Sequence, residues 1–125
     1  MMSKENLENG LKIRREVMGG AFVDKAMGNT TAYMEPTQEW INEHGWGSVW
    51  QREGLDRKTR SLVTVGMLAA MKASTEIKGH IQGALNNGAT PEEIREVLLH
   101  SAVYAGAPAA QEAFRAAKDL LEDKF

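Results

Sequence analysis

The chemistry available to this sequence centres on its three histidines, because the chain has no cysteine and therefore no thiol. His80 lies in the run STEIKGHIQGALNNGAT, residues 74–90, where helical spacing puts it on one face with Ile77 and Ile81. A histidine there is either a packed side chain with satisfied nitrogens or a proton donor, since its pKa lies near neutrality. Glu76 lies one helical turn earlier, and we predict that it hydrogen-bonds the imidazole.

The other two histidines are weaker candidates. His100 shares a helix face with Tyr104 and is expected to face a neighbouring helix or subunit, and His44 lies in a polar segment and is expected to be exposed. No two histidines have the i, i+4 spacing of a helical zinc site. We therefore predict no metal site.

A second cluster lies in WGSVWQREGLDRKTRS, residues 46–61. Trp46 and Trp50 are four residues apart and would form one aromatic surface on a helix. Arg57 and Arg60 begin the next helix, where positive charge opposes the helix dipole. Either a carboxylate side chain or a bound carboxylate compensates them, so the cluster is a salt-bridged turn or a substrate site.

Composition narrows the function classes. A chain of 125 residues fits a single domain, 1–125, and its net charge of −2 without a basic run argues against nucleic-acid binding. The apolar run at residues 61–71 is too short to cross a bilayer, and the first ten residues lack an apolar signal core. We expect a cytoplasmic protein that does not bind membranes.

Helical periodicity runs through nearly the whole chain, and no segment alternates like a half-buried strand. The pattern predicts an all-α fold, a compact bundle of about six to seven helices. Gly45 and Gly47 are expected to break the third helix, and Ser74 is expected to cap the His80 helix. The helix beginning at Arg57 is expected to be buried on most sides. The predicted helices are 4–18, a short helix through 22–27 that ends near 28–29, 36–49, 57–71, the His80 helix from its Ser74 cap to 87, 91–105 and 108–125.

Small residues are frequent in the last two predicted helices, as in SAVYAGAPAAQEAF, residues 101–114. Small side chains allow helix backbones to approach closely, which suits either self-association or ordinary packing within one chain. The sequence leaves these two alternatives open.

Several motifs in order resemble the 4-carboxymuconolactone decarboxylase family, which belongs to the AhpD-like superfamily. They are GLKIRREVMGGAFVDKAM (10–27), WGxxW (46–50), GLDRKTRSL (54–62), HIQGALNNGAT (80–90) and EEIREVLLHSAVYAGAPAA (92–110). The resemblance implies an AhpD-like all-α fold assembled as a homo-trimer or homo-hexamer. The peroxidase relatives carry two cysteines, at the positions of Ala73 and Glu76 here, so thiol peroxidase activity is excluded.

The activity implied by the resemblance is cofactor-independent decarboxylation of 4-carboxymuconolactone to 3-oxoadipate enol-lactone, in the β-ketoadipate route of aromatic degradation. His80 would serve as general acid or oxyanion donor, oriented by Glu76. Arg57 and Arg60 would bind a substrate carboxylate. Trp46 and Trp50 would exclude water. Two alternatives stay open: a related reaction on another small carboxylated lactone or keto acid, and a non-catalytic oligomeric module that binds small molecules.

Overall fold

The computed structural model describes residues 4–125 and divides them into two compact units, one ending at Asp56 and the other comprising Arg57–Phe125. The described residues contain seven α-helices, one π-helix and a short 3-10 turn, with no strand. The predicted all-α class and helix number are confirmed. None of these helices is both long enough and apolar enough to cross a membrane. The assignment of residues 1–125 to one domain stays a prediction.

Four helical segments form the first unit, and their apolar side chains make its core. The core consists of Ile13, Val17, Met18, Val23, Trp46 and Trp50. The segments are α1 (Lys4–Met18), α2 (Gly20–Gly28), α3 (Glu35–Trp40) and a π-helix (Ile41–Val49) that continues directly from α3.

The π-helix corrects the prediction that glycine breaks the third helix. The chain stays helical through Gly45 and Gly47 but widens its hydrogen bonding, as in the bond from Trp50 N–H to Gly45 O at 3.0 Å. Helix α1 and the π-helix pack so closely that each has a glycine at the contact, Gly10 on α1 and Gly47 on the π-helix. A β-carbon on Gly10 would collide with the carbonyl oxygen of Asn42, and one on Gly47 would lie 2.5 Å from the carbonyl oxygen of Asn6.

A buried arginine joins α1 to α3 and the π-helix. Arg14 is only 7% exposed, and its Nη1 donates to Gln38 Oε1 and to Asn42 Oδ1, both at 2.9 Å. Burial lowers the pKa of Arg14 below its ordinary value, because removal from water disfavours the charged guanidinium. The sequence pattern did not reveal this residue as an interior group.

Four α-helices form the second unit. Its core contains Val65, Ala69, Ile77, Ile81, Ala84, Ala89, Ile94, Leu98, Ala113, Ala117 and Leu121. Helix α4 packs against each of the other three, and α7 packs against α5 and α6 through a stripe of alanines. The helices are α4 (Arg57–Ala70), α5 (Ser74–Asn86), α6 (Pro91–Ala105) and α7 (Ala107–Leu121), followed by the 3-10 turn Glu122–Lys124.

The connections in this unit are tight. Gly88, with φ of 94°, ends α5 in a left-handed turn in which Ala89 N–H bonds Ala84 O at 2.9 Å. The predicted capping box of α6 is confirmed in Thr90 and Glu93. The predicted cap of α5 is wrong: Ala73 occupies the N-cap position and makes no side-chain bond. Ser74 is instead the first residue of the helix, which follows the left-handed Lys72 with φ of 57° and the N-cap Ala73.

Helix α4 also departs from the sequence prediction, because only one stripe of it is buried within the chain. Ser61, Val65 and Ala69 face the core. On the other side Met67 is 60% exposed, and Val63 is also exposed. Helix α4 therefore carries apolar side chains on a side that does not pack against the rest of the chain.

Candidate active site

His80 lies in the middle of α5, between the buried residues Ile77 and Ile81. Its side chain is half-buried, with the Nδ1 atom fully removed from solvent. A half-buried imidazole can meet a small ligand with one edge while the other is enclosed by protein. Glu76 is exposed, and an exposed carboxylate is a weak orienting group because water competes for it. Its predicted bond to His80 stays a prediction.

The first turn of α4 carries three basic residues, Arg57, Lys58 and Arg60, and no acidic one. Arg57 is exposed, whereas Arg60 is half-buried with its Nε atom inaccessible to solvent. Lys58 has a defined partner, since its Nζ lies 3.0 Å from Glu93 Oε2. The structure thus concentrates positive charge at the amino end of a helix, which attracts anions.

The end of α5 contacts this basic turn. Asn87 Nδ2 donates to Ser61 Oγ at 2.9 Å and to the main-chain carbonyl oxygen of Arg57 at 3.3 Å. Ser61 is buried. The segment after His80 therefore binds the backbone of the helix that carries both arginines.

Trp46 and Trp50 belong to the first unit. Their rings are stacked, with centroids 4.6 Å apart and an interplanar angle of 27°, which confirms the predicted pairing. They are 4% and 9% exposed and form part of the core of that unit. Their burial is that of core residues, and their predicted contact with a substrate stays a prediction.

The two remaining histidines have different surroundings. His44 is half-buried rather than exposed, because its Nε2 lies 3.3 Å from the buried carboxylate of Glu43 and its ring contacts Trp40. His100 is exposed, and its ring centroid lies 5.5 Å from that of Tyr104. His100 lines a groove between α4 and α6, and its expected contact with a neighbouring helix or subunit stays a prediction.

An apolar groove of about 380 Å³ runs between α4 and α6. Its lining includes His100 and Tyr104 but not His80 or the two arginines. The lining residues are Thr59, Leu62, Val63, Gly66, Ala70, Val97, His100, Ser101 and Tyr104. The groove therefore reaches the basic turn through Thr59 but is not lined by the arginines of that turn.

Sequence reasoning missed Asn87 and Ser61 as parts of this region. Asn87 was recognisable only as a helix end before glycine, and Ser61 only as a small residue in an apolar run. The signal that could have found Asn87 was a side-chain amide beside a left-handed turn, since such an amide can satisfy main-chain groups of neighbouring segments.

Together these features describe an all-α protein that has no thiol and is able to attract an anion and to donate a proton. The model of the carboxymuconolactone decarboxylase family matches residues 35–119, which include α3, the π-helix and α4–α6 in full. The chain belongs to this family.

Two relatives with named activities are similar over most of their length. A nitrosuccinic acid decarboxylase of Metarhizium robertsii is 47% identical over 116 residues, covering 93% of this chain and 81% of the relative. A 4-carboxymuconolactone decarboxylase of Acinetobacter baylyi is 37% identical over 123 residues, covering 98% of this chain and 92% of the relative. Both are carboxy-lyases, which confirms the predicted enzyme class for this family.

Proposed function

We propose that this chain is a cofactor-independent decarboxylase of a small dicarboxylate, with 4-carboxymuconolactone as the first candidate and 3-oxoadipate enol-lactone as its product. The observation that carries this proposal is the similarity to the Acinetobacter baylyi decarboxylase, which covers 98% of this chain. The basic turn of α4 and the half-buried His80 supply the groups that such a reaction needs.

The reaction needs no external electron acceptor. When the carbon–carbon bond to the departing carboxylate breaks, its electron pair enters the conjugated system and negative charge develops on the carbonyl oxygen of the lactone. The protein must bind the remaining carboxylate, stabilise the oxyanion and return one proton to carbon. A histidine is suited to the last step because its pKa lies close to neutral pH.

Nitrosuccinate is a second candidate substrate, favoured by the 47% identity to the Metarhizium robertsii decarboxylase. Its nitro group takes up the electron pair released with CO₂ and forms a nitronate, which then needs a proton on carbon. Both candidate reactions therefore require the same protein groups: a cation for the retained carboxylate and a proton donor. They differ in the shape and in the electron acceptor of the substrate.

Within this proposal, His80 donates the proton or stabilises the oxyanion through the ring edge opposite its enclosed Nδ1. Arg57 and Arg60 bind the retained carboxylate, and bidentate geometry makes arginine well suited to this task. Glu76 supports His80, and Trp46 and Trp50 exclude water. The reaction uses neither a metal nor an organic cofactor.

The test is to incubate the purified protein separately with 4-carboxymuconolactone and with nitrosuccinate and to measure CO₂ release. Run in D₂O, 4-carboxymuconolactone should give a product with one deuterium on the ring carbon next to the lactone carbonyl, and nitrosuccinate should give one with deuterium on the carbon that bears the nitro group. A folded protein that releases CO₂ from neither substrate would overturn the proposal. In that case, binding without turnover would favour the non-catalytic module, and activity on a different carboxylated lactone or keto acid would favour the broader alternative.

We also propose that the chain forms a homo-oligomer, a trimer or hexamer, through the α4–α6 face, defined as the groove residues together with Met67, Leu99 and Val103. Apart from Thr59, the residues of this face lie in segments 62–71 and 97–110, which contain no Asp, Glu, Lys or Arg. The face exposes large apolar groups, including Tyr104, which is 82% exposed. A groove and a projecting aromatic ring on one uncharged face fit a second copy of the chain, because interface cores are depleted of charge. The cytoplasmic location stays a prediction.

A further inference from the structure

The turn joining α5 to α6 supports the first turn of α4 from the side. Asn87 ends α5, and its amide Nδ2 lies 2.9 Å from Ser61 Oγ and 3.3 Å from the carbonyl oxygen of Arg57. Helix α6 begins at Pro91, three residues beyond the left-handed Gly88. A short segment thus passes from the His80 helix to the basic turn and then into the next helix.

The basic turn needs such support for electrostatic reasons. Its three cations repel one another, and each lies at the positive end of the α4 dipole. The salt bridge from Lys58 to Glu93 offsets part of this charge, but both side chains are partly exposed, so the bridge is a weak constraint on geometry. The two bonds from Asn87 instead act directly on the helix that carries the arginines. The shorter one, at 2.9 Å, ends on the hydroxyl of buried Ser61, and the longer one, at 3.3 Å and exposed, ends on the main chain of Arg57.

We infer that Asn87 is a positioning residue for carboxylate binding, acting through the backbone of Arg57. This inference rests on the proposed function, in which Arg57 and Arg60 hold the retained carboxylate. Bidentate recognition depends on the direction of the guanidinium group, so a small displacement of this turn weakens binding of the substrate. Asn87 touches no reacting atom in this scheme, and proton transfer by His80 does not depend on it.

The experiment measures binding of succinate, an unreactive dicarboxylate, by calorimetry, and KM and kcat on whichever substrate releases CO₂. Asn87→Ala should weaken succinate binding and raise KM by about tenfold, the loss expected for a hydrogen bond or two. The value of kcat should change less than twofold. Gln82→Ala is the matched control, since it removes an exposed amide on the same helix whose bond to Asn86 is local.

A double-mutant cycle separates positioning from general destabilisation. In an Arg57→Ala background, Asn87→Ala should have no further effect on succinate affinity, because the group that it positions is gone. Ser61→Ala provides a second variant that keeps the bond to Arg57 and should show a smaller effect of the same sign. Thermal unfolding checks that each variant is folded at the assay temperature.

The inference is overturned if Asn87→Ala binds succinate as tightly as the wild type, or if its effect persists in full without the Arg57 side chain. A wild-type protein that does not bind succinate would overturn it as well. These outcomes differ from failure of the proposed function, which is absence of CO₂ release from either substrate. If the effects of Asn87→Ala and Arg57→Ala on succinate affinity are coupled but no CO₂ is released, Asn87 remains a positioning residue and the proposed enzyme activity is rejected.

Discussion

Lys58 Nζ lies 3.0 Å from Glu93 Oε2, while Oε1 of the same carboxylate accepts a hydrogen bond from the main-chain N–H of Thr90 at 2.9 Å. One side chain therefore caps α6 and offsets a charge in the basic turn of α4. The bond from the Thr90 backbone is the main cause that holds the pKa of Glu93 below its ordinary value of 4.5, and Lys58 adds to it. The ionised form of Glu93 is consequently the form that stabilises the fold.

Glu93→Gln should lower the thermal midpoint at neutral pH and should lose this effect in acid. Because the folded-state pKa of Glu93 is depressed, its stabilisation is fully present above pH 4.5 and is lost as pH falls through the folded-state value. Thermal unfolding of both proteins between pH 7 and pH 2 should show the difference shrinking below pH 4.5. Glu92→Gln, in the same helical turn, should show a smaller difference, and a pH-independent Glu93→Gln effect would contradict the assignment.

His80→Gln should reduce kcat on the active substrate by about 10²–10⁴, the usual contribution of a positioned general acid. Glutamine keeps a polar side chain of similar reach but does not donate a proton near neutral pH. Gln82→Ala, which removes an exposed amide from the same helix, is the control and should keep kcat within about twofold. Steady-state kinetics with circular dichroism for folding would decide the matter, and near-wild-type turnover by a folded His80→Gln would reject the role.

Arg60→Lys should raise KM about tenfold or more while changing kcat little, because lysine keeps the charge but loses the bidentate fork. Arg95→Lys is the matched control. Its guanidinium lies over the ring of Phe125, 3.9 Å from the centroid, outside the basic turn. Initial rates over a range of substrate concentrations measure both constants. An unchanged KM for Arg60→Lys would remove this residue from the carboxylate site.

Self-association should depend on the α4–α6 face. Met67→Glu places a charge on an exposed apolar position and should reduce the solution mass measured by light scattering towards 13.8 kDa, the mass of one chain. Tyr33→Asp is the control, since Tyr33 is similarly exposed on the other compact unit. A wild-type protein that is monomeric, or a Met67→Glu variant with unchanged mass, would contradict this surface.

Gly10→Ala should destabilise the fold by about 3 kcal/mol or more, because its β-carbon would run into the backbone of the π-helix at Asn42 and Gly47. Gly45→Ala is the matched control, with nothing within 4 Å of the added β-carbon. It should be neutral or slightly stabilising, since alanine is the better helix former. Denaturant unfolding would compare the two. Equal stability of both variants would show that α1 can move away from the π-helix.

Much of the helical architecture could be predicted because its signals are local. The capping box at Thr90, the proline near the start of α6 and the glycine after α5 act within a few residues of one another, so the sequence alone reveals them. The π-helix could not be predicted in the same way. It packs closely against α1 at Gly10 and Gly47, which lie far apart in sequence, and contacts of this kind are not visible in a local pattern.

The sequence by itself determined the all-α class, the exclusion of thiol chemistry and the resemblance to the decarboxylase family, because composition, periodicity and motif order are properties of the chain. The tertiary structure decided which of these residues are interior and which of them meet. It buried Arg14 against two amides, placed the tryptophans in a core and brought Asn87 onto the backbone of Arg57. These outcomes depend on contacts between residues distant in sequence, since burial and hydrogen-bond pairing are fixed only when helices pack.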